Sequence, residues 1–327
     1  MIFDGHSDIF SNVANRRARG EKHIFKNHHL KGFKESDIRG GIFVVWIESL
    51  YHDNPMARSQ VIIKYALEEF EENRDILNQV KNYDDYLIGK NEDKINVILG
   101  MEGLSQIEGD LTYLDYLYND AGVRHAMLTW NEKVNHLGTC WKGDQHEGLT
   151  KLGKEAINKM QHLGMIVDTS HLNDAGFWDI MELASQPIIA SHSDARALVN
   201  HGRNLSDDMI KAIANTGGVI GMNAYREFVG LEKSKQNIAG LANHLEYIAG
   251  IAGIDHVGLG FDFTDFLTPE DTGFPNETGD TDCIDGLNSA GEAKYFVEEL
   301  KSRGFSKEDL EKITHGNFER VIKTILK

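Results

Sequence analysis

His6 and Asp8 stand two residues apart in Asp4-Gly5-His6-Ser7-Asp8, directly after the apolar pair Ile2-Phe3. On a strand, residues two apart share a face, so an imidazole and a carboxylate would point together and clamp a divalent metal. Four later segments end apolar runs with the same residue types. Gly100-Met101-Glu102-Gly103 sets a carboxylate between glycines, Asp168-Thr169-Ser170-His171 and Ser191-His192-Ser193 each supply an imidazole, and Gly260-Phe261-Asp262 adds another carboxylate. Mixed imidazole and carboxylate ligands suit a borderline metal such as zinc. His6, Asp8, Glu102, His171 and His192, with one carboxylate shared, suffice for two metal ions. Such a pair makes hydroxide available near neutral pH and polarises a carbonyl oxygen. Asp262 is then free to act as general base on the water and general acid toward the leaving group.

Each residue taken alone has a plainer reading. A lone histidine at a strand end is usually a hydrogen-bonded structural residue, and the chain has 15 histidines. His23, His28, His29, His146, His162 and His201 read as surface or local packing. The argument for a metal rests on joint placement at strand ends that must meet.

The elements that would make them meet are short apolar runs alternating with amphipathic stretches. The runs are 2–3, 41–47, 95–101, 123–130, 165–169, 187–191, 218–222 and 257–261. Helical patterning covers 59–86, 151–163, 174–184, 206–215 and 240–252, and Ser206-Asp207-Asp208 before Met209 has the character of a helix start. Eight strands alternating with helices predict an α/β fold, a (β/α)8 TIM barrel whose active site lies at the C-terminal strand ends. An open doubly wound sheet is disfavoured because no GxGxxG follows the first strand. The chain reads as a single barrel domain, 1–327, with residues 262–288 as a long loop over the mouth.

Composition sets outer bounds. The chain is 41% hydrophobic and 26% charged, as expected of a globular protein. With 51 acidic and 34 basic residues, its formal charge of −17 argues against nucleic acid and anionic membranes as partners. A small anion held by one arginine remains compatible. No run has the length of a membrane span, and no apolar leader precedes His6. Cys140 and Cys283 lack CxxC spacing and read as reduced thiols, so the expected location is cytoplasmic.

These motifs together resemble the membrane dipeptidase (renal dipeptidase) family of zinc peptidases, within the amidohydrolase-type barrels. The matching segments are DGHSD at 4–8, GMEG at 100–103, LTWN at 128–131, DTSH at 168–171, SHSDAR at 191–196, GRN at 202–204, GLGFDF at 258–263 and HGNFERV at 315–321. The resemblance implies two Zn2+ per chain, other divalent metals being possible. His6 and Asp8 would bind one ion, His171 and His192 the other, and Glu102 would bridge them. It places Asp262 as acid/base, Arg203 as receiver of the substrate's terminal carboxylate, and Tyr225 near a substrate-contacting tyrosine. It also implies a dipeptide substrate, tolerance of a D-residue at its C-terminal position, and a possible homodimer.

Two positions depart from the family pattern. Many relatives carry histidine where this chain has Trp130, a variant of bacterial branches. Indole has one N–H donor and no basic nitrogen, so Asn131 or His136 would have to supply a donor and Trp130 would form pocket wall. After Asp262 the family often reads DFDG, whereas this chain has Phe263-Thr264-Asp265. The first aspartate of that pattern is retained as Asp262 and the second is replaced by Thr264, and strand-end geometry favours the first as acid/base. The rival readings are an amidohydrolase acting on a lactam or N-acyl amino acid, and a catalytically silent metal- or peptide-binding homologue.

Overall fold

A computed structural model describes residues 1–132, 135–273 and 282–327. Its strands are β1 (Ile2–Ser7), β2 (Ile38–Trp46), β3 (Leu77–Gln79), β4 (Ile95–Glu102), β5 (His125–Met127), β6 (Ile166–Asp168), β7 (Ile188–Ile189), β8 (Ile220–Met222) and β9 (Val257–Leu259). All pair in parallel, in the order β7-β6-β5-β4-β2-β1-β9-β8. An Ala190–Ile220 bridge joins the two ends, with Gly221 N donating to Ala190 O at 2.8 Å, and so closes an eight-stranded barrel. The predicted fold class is the one observed.

The strands are buried on both faces, as parallel barrel strands are. On β2 and β4 the side chains of Ile42, Val44, Trp46 and Ile98 point inward, while Phe43, Val45, Leu99 and Met101 pack under the helices. Phe318, from the helix Asn317–Ile325, closes the lower end against Phe3 at 5.4 Å. The same alternation carries Glu102, two residues beyond Gly100, to the upper mouth.

One predicted helix is corrected. The 59–86 stretch is not continuous: it divides into a helix at Pro55–Glu72, β3, and a helix at Tyr83–Asn91. Asn73 ends the first by donating from its side chain to Glu69 O, and Asn82 starts the next by accepting from Asp85 N. β3 pairs with the first half of β4, beneath the point where β5 begins. Elsewhere the starts follow sequence: Ser206, Thr150, Asn173 and Asn237 each accept a backbone N–H at a helix N-cap.

The loop expected at 262–288 is seen in part: residues 269–272 form a helical turn, and 274–281 lie outside the described residues. Among the described residues, no helix is long and apolar enough to cross a membrane.

Candidate metal centre

Each donor reaches the mouth through a local device. The β1 register slips between Asp4 and Ser7, and Asp8 lies past the strand, at the N-cap of the helix Ile9–Ala18. The clamp is therefore not simple strand alternation, yet His6 Nε2 and Asp8 Oδ2 lie 3.8 Å apart. Glycines make room for His192. A Cβ at Gly5, Gly221 or Gly260 would fall 2.8, 2.0 or 1.8 Å from the Ser191 carbonyl oxygen. His171 and Asp262 adopt left-handed φ of 69° and 61°, a conformation costly for residues with a Cβ and tolerated where the surroundings dictate it.

The structure brings six of the sequence-predicted residues together. Glu102 is central: its Oε2 lies 3.5 Å from His6 Nε2, and its Oε1 lies 2.9 Å from His171 Nε2 and 3.8 Å from His192 Nε2. His171 and His192 approach at 3.0 Å through their Nε2 atoms, and His192 stacks on His6 with ring centroids 3.8 Å apart. Asp262 Oδ1 lies 3.7 Å from His6 Nε2. Its side chain is 20% exposed against 4% for Glu102, so it is the carboxylate nearer solvent.

Electrostatics follow from this crowding. Burial pushes Glu102 up to about 8, against the pull of His6 and with the charges of Asp8 and Asp262 adding to the rise. Burial and the Asp8 charge likewise raise Asp262. Burial opposes protonation of His6, but Glu102, Asp8 and Asp262 outweigh it and hold that imidazole well above its usual range. Burial and the positive charge of Arg203 hold His171 well below it, while burial, His6 and Arg203 do the same to His192.

These donors fit a divalent metal. His6 Nε2, Asp8 Oδ1 and Glu102 Oε2 are buried without a hydrogen-bond partner among the described residues. Such orphaned groups cost folding free energy unless a ligand satisfies them. Ligand atoms of His6, Glu102 and His192, and of His6, Asp8 and Asp262, cluster within 4.8 Å of one another. Zinc added to metal-free protein is expected to raise Tm, by roughly 2.7 kcal/mol of stability at free zinc a hundredfold above Kd. Calorimetry across a zinc–chelator series checks this, and a Tm unmoved by either would exclude a metal here.

Around the donors lie the other predicted residues. Arg203 is buried, donating from Nη2 to His192 O at 3.0 Å and from Nη1 to Ser193 Oγ at 3.4 Å, while its Nε has no partner among the described residues. Tyr225 packs its ring on Phe228 at 4.6 Å, and burial pushes its phenol up to about 12. Trp130 and His136 line a cavity of about 460 Å³ that opens at Glu102, with Ile47, His52 and Glu132. Asn131 faces elsewhere: its Oδ1 lies 3.1 Å from His171 Nδ1.

Sequence reasoning passed over Asn223, whose Nδ2 donates to Asp262 Oδ2 at 3.1 Å, and Ser191, whose Oγ sits 2.7 Å from His192 Nδ1. It also missed Asp4, which accepts from Phe261 N and so ties β1 to the chain carrying Asp262. Asn223 follows β8 and Ser191 precedes His192, so their positions at strand ends were the available signal.

Fold and donor set together define a (β/α)8 barrel with imidazole and carboxylate groups at its mouth that could hold a metal ion. A family model for the membrane dipeptidases (Peptidase family M19) matches residues 1–327, and the chain belongs to that family. It is 32% identical to dipeptidase aclJ of Aspergillus oryzae over 233 residues, 70% of this chain but only 51% of that protein. It is 33% identical to a protein of the pqqA 5′ region of Klebsiella pneumoniae over 244 residues, 72% of this chain and 84% of that one. A metallopeptidase from Rhodobacter sphaeroides, solved with a phosphinate mimic of L-Ala-D-Ala, shares the fold. Its TM-score is 0.86 at 21% identity, covering 99% of each chain.

Proposed function

We propose that the protein is a metal-dependent dipeptidase that binds two zinc ions and accepts either L- or D-residues at the C-terminal position. The carrying observation is Glu102, whose two carboxylate oxygens face His6 on one side and the His171–His192 pair on the other. That is the disposition of a bridging ligand. Bound ions would supply a water nucleophilic near neutral pH and polarise the peptide carbonyl. Asp262, held by Asn223 and open to solvent, takes the proton from that water and passes it to the departing amine. Arg203 receives the substrate's terminal carboxylate, which limits length, because a longer peptide has no carboxylate there. The family match supports the reaction class, and the ligand of the Rhodobacter sphaeroides relative supports the stereochemical reading.

Assay of the zinc-loaded protein on matched L,L and L,D dipeptides is expected to show release of both amino acids. Preference for N-acyl amino acids or lactams would move the assignment to another amidohydrolase activity, and no cleavage of any dipeptide would refute it.

A further inference from the structure

Trp141 lies ten residues past Asn131 and thirty before His171, yet it touches both. Its Nε1 donates to Asn131 Oδ1 at 2.7 Å, and the same oxygen lies 3.1 Å from His171 Nδ1. Its backbone N donates to His171 O at 2.9 Å, and an antiparallel Cys140–Leu172 bridge pins the two segments side by side. The contact is thus fixed by main chain as well as side chain.

An amide can present either oxygen or nitrogen to a neighbour, and a neutral imidazole can carry its proton on either nitrogen. Both ambiguities end at Trp141. Indole N–H is a donor only, so the amide atom facing it must be oxygen. That oxygen also faces His171 Nδ1, which must then carry the proton and donate. The lone pair of His171 is left on Nε2, the atom 2.9 Å from Glu102 and 3.0 Å from His192 Nε2. We propose that Trp141 is a positioning residue that, by orienting the Asn131 amide, selects the His171 tautomer able to bind metal. Metal-ligating histidines take their orientation and tautomer from such partners, whose loss typically costs about 10- to 100-fold in metal affinity.

This rests on His171 being a ligand, as in the proposed function, but its test reads zinc rather than turnover. Trp141 also packs on Gly202, where a Cβ would lie 2.9 Å from Cε3, and on the His201 ring at 4.7 Å. Phenylalanine keeps an aromatic body there while removing the N–H, so Trp141→Phe is the first variant. The second is Asn131→Asp in the Trp141→Phe background, because a carboxylate presents oxygen to His171 whichever way it turns.

Zinc affinity is measured by chelator competition, and the His171 tautomer by 15N NMR of metal-free protein. Trp141→Phe is expected to weaken zinc binding about 10- to 100-fold and to give His171 a mixture of tautomers. The double variant is expected to recover parental affinity and the single Nδ1–H tautomer. A merely structural role for the indole predicts no recovery. The proposal is overturned if Trp141→Phe binds zinc like the parent, or if the double variant stays as weak as Trp141→Phe. A parent protein that binds no zinc would overturn it together with the dipeptidase reading, whereas zinc binding without dipeptide cleavage would overturn only the latter.

Discussion

Asp262→Asn lowers turnover by about 10²- to 10⁴-fold, the usual worth of a positioned proton-transfer group, and leaves the protein folded and metal-loaded. The amide keeps the shape of the carboxyl but cannot exchange a proton at neutral pH. Asparagine also tolerates the left-handed backbone that Asp262 adopts at φ 61° better than most residues, so the substitution adds no strain. The hydrogen bond from Asn223 can persist through the amide oxygen. Steady-state kinetics together with metal analysis check the result. Loss of metal would reassign Asp262 from proton carrier to ligand, an alternative that its 3.7 Å approach to His6 makes worth measuring.

Arg203→Met is expected to act on binding rather than on chemistry. The guanidinium is buried, and burial pulls its pKa below the usual arginine range, although the charges of Asp262, Glu102, Asp168 and Asp194 act against this. Its Nε is unsatisfied among the described residues, so the site holds a desolvated cation with donor capacity to spare. Methionine keeps an unbranched apolar side chain and removes the guanidinium, whose Cζ lies 5.4 Å from the Phe228 ring centroid. Breaking a buried charge pair typically costs about 3–5 kcal/mol, so kcat/KM for free dipeptides should fall roughly 10²- to 10⁴-fold. Dipeptide amides, which lack the carboxylate, should be affected far less. An equal loss on both substrates would show that Arg203 does not hold the carboxylate.

Much of the barrel was legible because its strands are short apolar runs with punctuated ends. The run at 95–101 became Ile95–Glu102 almost unchanged. The 123–130 run shrank to His125–Met127, because β5 pairs only along Gly100–Glu102 of β4. The 59–86 stretch misled because helical periodicity continues across its break. The break depends on Asn73 and Asn82 capping in opposite senses, and on an edge of β4 needing a partner.

By itself the sequence singled out the candidate donors. A metal needs particular side-chain types, those types stand at run ends, and a barrel must gather its strand ends at one mouth. Only the tertiary structure decided how the donors are held. The β1 slip and the helix start at Asp8, the room that glycines leave for the Ser191 carbonyl, and the turn of Asn131 away from the cavity toward His171 are of this kind. Local pattern specifies which face a residue occupies. Which atom of an amide meets which atom of a ring depends on contacts between distant segments, such as that of Trp141 with Asn131, and packing alone sets those.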